Sequence, residues 1–314
     1  MSTTSMSTYT GGFANGVTIR NMPLLNAYPG KVFWVSSTSG GNGKGTFERP
    51  FNTIAQALAV CTAGRGDIII AKPLHAETIS SATGLLMNVA GVAVVGLGSG
   101  TNRPTFTFST ANTATIAVSA ANVSFINCRF VANFLSIAAP LTLSTAASFT
   151  VQGCTFKDNS GVLDFLNCVK STGAANTVDS LYFVDNVWSS LGTTSVNTAV
   201  LTANDIDGLV FARNRIVQVT TVDQAIGIVV TAGVLTNLWC AENIGYRKNT
   251  TTASGSLINV GGVTSTGFVV RNYVQTLTTA ADKLFTTTVG LAAFENRVTG
   301  AVGTTGFVIP AADS

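Results

Sequence analysis

The sequence predicts an all-β chain, a right-handed parallel β-helix (solenoid) with a short N-terminal capping helix and an extended N-terminal arm. Three observations carry that reading. One slot, filled by Asn or Cys, recurs at positions 128, 154, 186, 214, 243, 272 and 296, with gaps of 26, 32, 28, 29, 29 and 24 residues. A period of that size marks stacked repeats, each burying its apolar face only against its neighbours. The segments around the slot are short, rich in β-branched and aromatic residues, and bounded by Gly, Asn, Asp, Ser and Thr, which is the composition of strands and turns. No proline occurs between Pro140 and Pro310, as stacked strands that use their N–H groups require.

In chain order, residues 1–30 lack any periodic pattern and read as an attachment arm. Lys31 to Val35 reads as a strand, and Ser36 to Gly45 as a flexible loop. Thr53-Ile-Ala-Gln56 is a capping box, placing Ile54, Leu58 and Cys61 on one face of a short helix that ends near Gly64–Gly66. Such a helix, within a segment 31–66, would cover the open end of the solenoid. Residues 67–300 form the β-helix and 301–314 a C-terminal tail.

Each repeat closes on a segment such as Leu181-Tyr-Phe-Val-Asp-Asn186-Val-Trp188 or Leu209-Val-Phe-Ala-Arg-Asn214-Arg-Ile216. A further strand lies upstream of it, for example Leu141 to Leu143 or Gly227 to Val230. Roughly eight or nine coils at about 4.8 Å would give a body about 40 Å long.

The recurring slot has a structural explanation. Asn186, Asn214, Asn243, Asn272 and Asn296 would turn inward at a bend and hydrogen-bond one another from coil to coil. Asn also tolerates the left-handed conformation that a sharp bend demands. Beside this ladder stands Asp185, Arg213, Glu242, Arg271 and Glu295, alternating in sign. Exposed pairs of this kind contribute only about 0–1 kcal/mol each, so their benefit lies in resisting a one-coil slip. Phe268 and Phe294 sit one place later than the apolar residues of the other segments, which predicts a one-residue adjustment in the last two coils.

Only 10% of the residues are charged, and mean hydropathy is +0.41. That pattern suits a coil whose outer face packs against sister subunits, and a homotrimer is the expected assembly. Net charge is +3, concentrated in residues 1–75, and too dilute for nucleic acid. The longest apolar stretch, Leu85 to Leu97, is broken by Asn88 and two glycines and is too short for a bilayer. Met1 to Arg20 has neither the basic nor the apolar region of a signal peptide. Five cysteines without a CxxC pair indicate reduced folding, and Cys128 and Cys154 occupy the ladder slot as small core residues.

A resemblance enters here. Gly43 to Phe51, Thr53-Ile54, Gly66-Asp-Ile-Ile69 and Pro73 to Glu77 resemble the opening of pectin-lyase-like right-handed β-helices. Asn15-Gly-Val-Thr-Ile-Arg20, Gly30 to Val35 and His75-Ala-Glu-Thr-Ile79 are similar to structural proteins of tailed bacteriophages. The resemblance implies a virion component, assembled in the host cytoplasm and often associated with the head. Its partner would be the major capsid protein or a neighbouring virion protein. Capsid attachment is expected at Asn15, Val17, Ile19, Arg20 and Lys31.

Signs of catalysis are sparse. Polysaccharide lyases on this fold cluster Asp around calcium, and hydrolases need two carboxylates about 5–10 Å apart. Asp205 and Asp207, with Asp179 and Asp223 in adjoining loops, are the candidates, but Asn204-Asp-Ile-Asp-Gly208 is also ordinary turn chemistry. His75 is the single histidine, which leaves no imidazole metal site. Gly96-Leu-Gly-Ser-Gly100 reads as an inter-coil turn. Trp188 shares its slot with Phe130 and Phe156 and is expected in the core, whereas Trp239 is expected outward as a subunit or ligand contact. The expectation is therefore a non-enzymatic head decoration or head-fibre protein without catalytic residues, metal or cofactor. The alternative is a tailspike or tail fibre that recognises or cleaves a host-surface glycan.

Overall fold

The computed structural model describes residues 17–19, 22–24, 30–40, 43–193, 197–219, 225–247, 256–260, 264–276, 283–285, 290–299 and 306–307. Among the described residues, three long sheets carry the stack. The first has ten strands, from Val32–Val35 to Leu291–Phe294. The second also has ten: nine from Ala76–Ile79 to Arg297–Thr299, and Gly306–Phe307 as the tenth, antiparallel at its end. The third has eight, from Leu85–Met87 to Lys283–Phe285. Apart from that last strand, every pairing within these sheets is parallel and joins one coil to the next, as in Phe125↔Val151 and Val151↔Phe183. This is a parallel β-helix with three strands per coil, and parallel crossovers within one sheet take the right-handed sense.

The interior is filled by alternate residues of each strand. Phe130 and Phe156 stack at 5.0 Å, Phe156 and Phe183 at 5.8 Å, and Phe183 and Phe211 at 5.5 Å. All four rings are buried, as is Trp188. Each such side chain contributes roughly 1.5–3 kcal/mol of burial.

The capping helix spans Ile54–Leu58 and carries both capping-box hydrogen bonds: Gln56 N–H to Thr53 Oγ1 at 3.2 Å and Thr53 N–H to Gln56 Oε1 at 3.3 Å. It is shorter than expected, ending before Cys61. The reason is Asp67, whose buried carboxylate accepts the Thr62 N–H at 2.8 Å and the Lys31 N–H at 2.8 Å while Arg65 grips it. These bonds draw the chain after Leu58 into a turn. Burial alone would raise the Asp67 carboxyl, but those partners hold it at about 2.

Two expectations about the bend are corrected. The left-handed residue is the charged one preceding each asparagine: Asp185, Arg213, Glu242, Arg271 and Glu295 have φ between 52° and 59°. The asparagines themselves do not. One bend residue must reverse the chain outward while the next returns a side chain to the interior, and the left-handed conformation belongs to the first. There is also no one-residue adjustment in the last coils. Trp239 pairs with Phe268, and Phe268 with Ala292, in unbroken register. Phe268 and Phe294 are outward residues rather than displaced core residues.

Candidate interaction surface

The bend between the first and second sheets organises both sides of the wall. Inside it, the backbone N–H groups of Asn186, Asn214, Asn243 and Asn272 each donate to the Oδ1 of the next asparagine at 2.9 Å. Each Nδ2 turns back to a carbonyl of the preceding coil, as Asn214 does to Phe183 at 2.8 Å and Asn296 to Val269 at 2.7 Å. Cys154 takes part by donating its N–H to Asn186 Oδ1 at 2.9 Å, and Cys128 N–H points at the Cys154 sulfur at 3.4 Å. The hydrogen bond from Cys154 and burial together push the Cys128 thiol well above its ordinary range, so it stays a neutral core group.

Outside the bend runs a ridge of charge. Arg213 meets Asp185 at 2.7 Å, and Arg271 lies 3.4 Å from Glu242 and 4.0 Å from Glu295. The hydrogen bond from Arg213 lowers the Asp185 carboxyl.

Two stripes flank this ridge, an uncharged one on the first sheet and one on the second in which apolar residues are interspersed with arginine. On the first sheet, Tyr182, Val210, Trp239, Phe268 and Ala292 are consecutive partners. Trp239 and Phe268 lie edge to face at 6.3 Å, and Phe268 and Phe294 stack at 6.3 Å. A recess of about 250 Å³ opens between Tyr182, Gln152, Arg213 and Trp239. On the second sheet, Val187, Arg215, Ile244, Tyr273 and Arg297 form the matching column, with the Arg297 guanidinium 5.8 Å from the Tyr273 ring centre. Strict alternation places these residues outward, which is the signal that singled out Trp239 in the sequence. The stripe as a whole escaped that reading because Phe268 and Phe294 looked like core.

The acidic candidates are occupied by backbone and side-chain donors of neighbouring coils. Asp205 Oδ1 accepts the Val234 N–H at 2.8 Å, and Asp179 Oδ1 accepts the Asp207 N–H at 2.9 Å. Asp207 accepts Thr236 Oγ1 at 3.1 Å and Asn237 Nδ2 at 2.8 Å. Asp223 lies outside the described residues. His75 is buried, with Nε2 at 2.9 Å from Glu77 Oε1, and Glu77 also accepts the Ile54 N–H at the start of the capping helix. Among the described residues, no group of three His, Cys, Asp or Glu side chains could hold a metal ion, and no helix is long and apolar enough to cross a membrane.

Of the expected attachment residues, Asn15 and Arg20 lie outside the described residues. Val17 and Ile19 fall in a strand, Val17–Ile19, paired antiparallel with Met22–Leu24. Lys31 is exposed, its N–H fixed by Asp67.

One polar group was missed entirely. Asp158, Ser190, Gln218 and Arg247 occupy successive coils at the inner end of the second sheet, all buried. Asp158 accepts the N–H groups of Phe165 at 3.1 Å and Leu191 at 2.8 Å. Asn197 donates to Ser190 Oγ at 2.9 Å, Gln218 to the Asn197 carbonyl at 3.0 Å, and Arg247 Nη2 to Gln218 Oε1 at 2.9 Å. Burial, with Asp164 nearby, pushes the Asp158 carboxyl up to about 7.

The architecture is a right-handed parallel β-helix. No protein-family model and no curated protein sequence matches the chain. Among solved structures it is similar to a rhamnogalacturonan lyase at 12% identity and TM-score 0.44, covering 85% of this chain and 87% of that one. It is also similar to a pectate lyase at 12% identity and TM-score 0.37, covering 85% and 79%. Both likenesses are of fold alone.

Proposed function

We propose that this chain is a non-enzymatic structural protein of a tailed-bacteriophage particle, a head decoration or head fibre. It assembles as a homotrimer, and residues 1–30 hold it to the major capsid protein or a neighbouring virion protein. The particle rests on the sequence resemblance of Asn15 to Arg20 and Gly30 to Val35. The structural role rests on one observation: the ordered polar residues serve the scaffold while the outer stripe of the first sheet is uncharged and rich in aromatic side chains. Asp179, Asp205 and Asp207 satisfy backbone and side-chain donors of neighbouring coils, and the asparagines satisfy one another. A particle structure tests the reading. Density for the chain on capsomers supports it, and density only at the tail tip overturns it.

A second reading is a tail fibre or tailspike that binds, or cleaves, a host-surface glycan. It is favoured by the recess between Tyr182 and Trp239, where aromatic planes stand beside the hydrogen-bonding groups of Gln152 and Arg213. Release of oligosaccharides from host glycans by the purified protein would establish it and sink the first.

A further inference from the structure

We propose that copies of this chain associate through two different faces, the first-sheet stripe of one copy packing on the second-sheet stripe of the next. This deepens the homotrimer of the preceding reading and is independent of the particle. Trp239 and Phe268 on the first sheet are 43% and 50% exposed, and Ile244 and Tyr273 on the second are 50% and 49% exposed. They alternate across one ridge at fixed offsets: Trp239 and Ile244 flank Glu242, and Phe268 and Tyr273 flank Arg271. Tyr182 and Val187, 42% and 41% exposed, flank Asp185 in the same way.

The occupant is a second copy for three reasons. First, the outward positions of the first sheet carry no charge along all ten strands, from Val32 and Trp34 to Ala292 and Phe294, so covering them desolvates no ion of that face. The second-sheet face contributes Arg129, Lys157, Arg215 and Arg297, whose apolar stems cover the stripe while their charged ends reach the rim. Monomeric proteins seldom leave a continuous apolar surface of more than a few hundred Å² to water. Second, the stripes repeat at the coil spacing, and a parallel copy presents the same spacing, so coil meets coil along the whole length. Third, the area favours a ring. Ten strands at about 4.8 Å and a width of about 12 Å give roughly 500 Å² per face. One face-to-face pair would then bury about 1,000 Å², the low end for a specific interface. A closed ring gives every copy two such contacts and leaves neither stripe exposed, whereas a two-fold dimer through one face leaves the other bare.

The arrangement is heterologous, with unlike faces meeting, and that supplies its test. Full-length wild type, Trp239→Glu and Ile244→Glu are sized by light scattering coupled to gel filtration, with circular dichroism to verify folding. Wild type is expected as a trimer and each variant as a monomer. A 1:1 mixture of the two variants is expected to form heterodimers, because the intact second-sheet face of Trp239→Glu meets the intact first-sheet face of Ile244→Glu. If either variant fails to fold, Phe268→Lys and Tyr273→Lys replace the pair. A wild-type monomer, including one that binds glycan through Trp239, overturns the inference. So does an oligomer that survives Ile244→Glu, or a mixture that stays monomeric. A ring that forms but finds no capsid leaves this inference standing while removing the particle.

Discussion

The Oδ1 atom of Asn243 accepts the backbone N–H of Asn214 at 2.9 Å, in a wall where both residues are buried. Asn243 Nδ2 in turn donates to the Phe211 carbonyl at 2.8 Å. Asn243→Ala strips a donor and an acceptor of the neighbouring coil of partners that water does not replace. At about 1–3 kcal/mol for each orphaned buried group, the substitution should cost about 2–6 kcal/mol in urea unfolding. Asn243→Cys should cost less, since the Cys154 sulfur already receives the Cys128 N–H in this column. Equal losses for Ala and Cys would show that the ladder bonds contribute little.

Arg213 has φ 53°, and its ion pair with Asp185 is exposed on both sides. The pair is therefore worth about 0–1 kcal/mol, while the left-handed backbone costs a residue with a Cβ about 1 kcal/mol or more. Arg213→Gly should be close to neutral, and Arg213→Ala less stable than Arg213→Gly by about 1 kcal/mol. Gly153, φ 62°, already fills the same bend position two coils earlier. Thermal midpoints of the two variants decide the matter, and Ala equalling Gly would remove the backbone argument.

The period of the asparagine slot was enough to read the stack, because a coil that buries its apolar face on its neighbours must repeat. The inside of the wall was legible for the same reason: Asn214 and Trp188 recur in columns. Which bend residue is left-handed was not legible, since Asn is also the commonest non-glycine residue in that conformation and spacing says nothing of direction. Phe268 misled because an aromatic residue at a strand centre reads as core until its register partner, Trp239, is known. Asp158 and Arg247 were hidden more deeply. Inward positions are normally apolar, and only the fold brings Asp158, Ser190, Gln218 and Arg247 into one line.

Gly267 pairs with Leu238 at φ 139°, and a Cβ there would run into the Leu238 backbone. Gly267→Ala should push the two coils apart and cost about 3 kcal/mol, combining backbone strain with a steric clash. Gly153→Ala is the control. It also has a positive φ, but nothing lies within 4 Å of the added methyl, so only about 1 kcal/mol is expected. Similar losses at both sites in denaturant titrations would refute the close approach at Gly267.

Asp158 sets the pH dependence. Its folded carboxyl is raised to about 7 from an ordinary 3.8, chiefly by burial. The native state therefore holds a proton that the unfolded chain has lost, and between those values stability falls as pH rises. The protonated form contributes fully below about pH 4, that contribution is lost on passing through pH 7, and Asp158 adds no further slope beyond. Three units correspond to at most about 4 kcal/mol. Cys168 and Asp164 are the titratable neighbours, and the Cys168 thiol is itself pushed up by burial and by Asp158. Asp158→Asn keeps the shape but removes the proton, so its unfolding free energy should lose the slope between pH 4 and pH 7. Urea unfolding of both proteins at pH 4, 5.5, 7 and 8 gives the difference directly. A wild-type curve parallel to that of Asp158→Asn would mean that Asp158 is ionised throughout, held by the Phe165 and Leu191 N–H groups despite its burial.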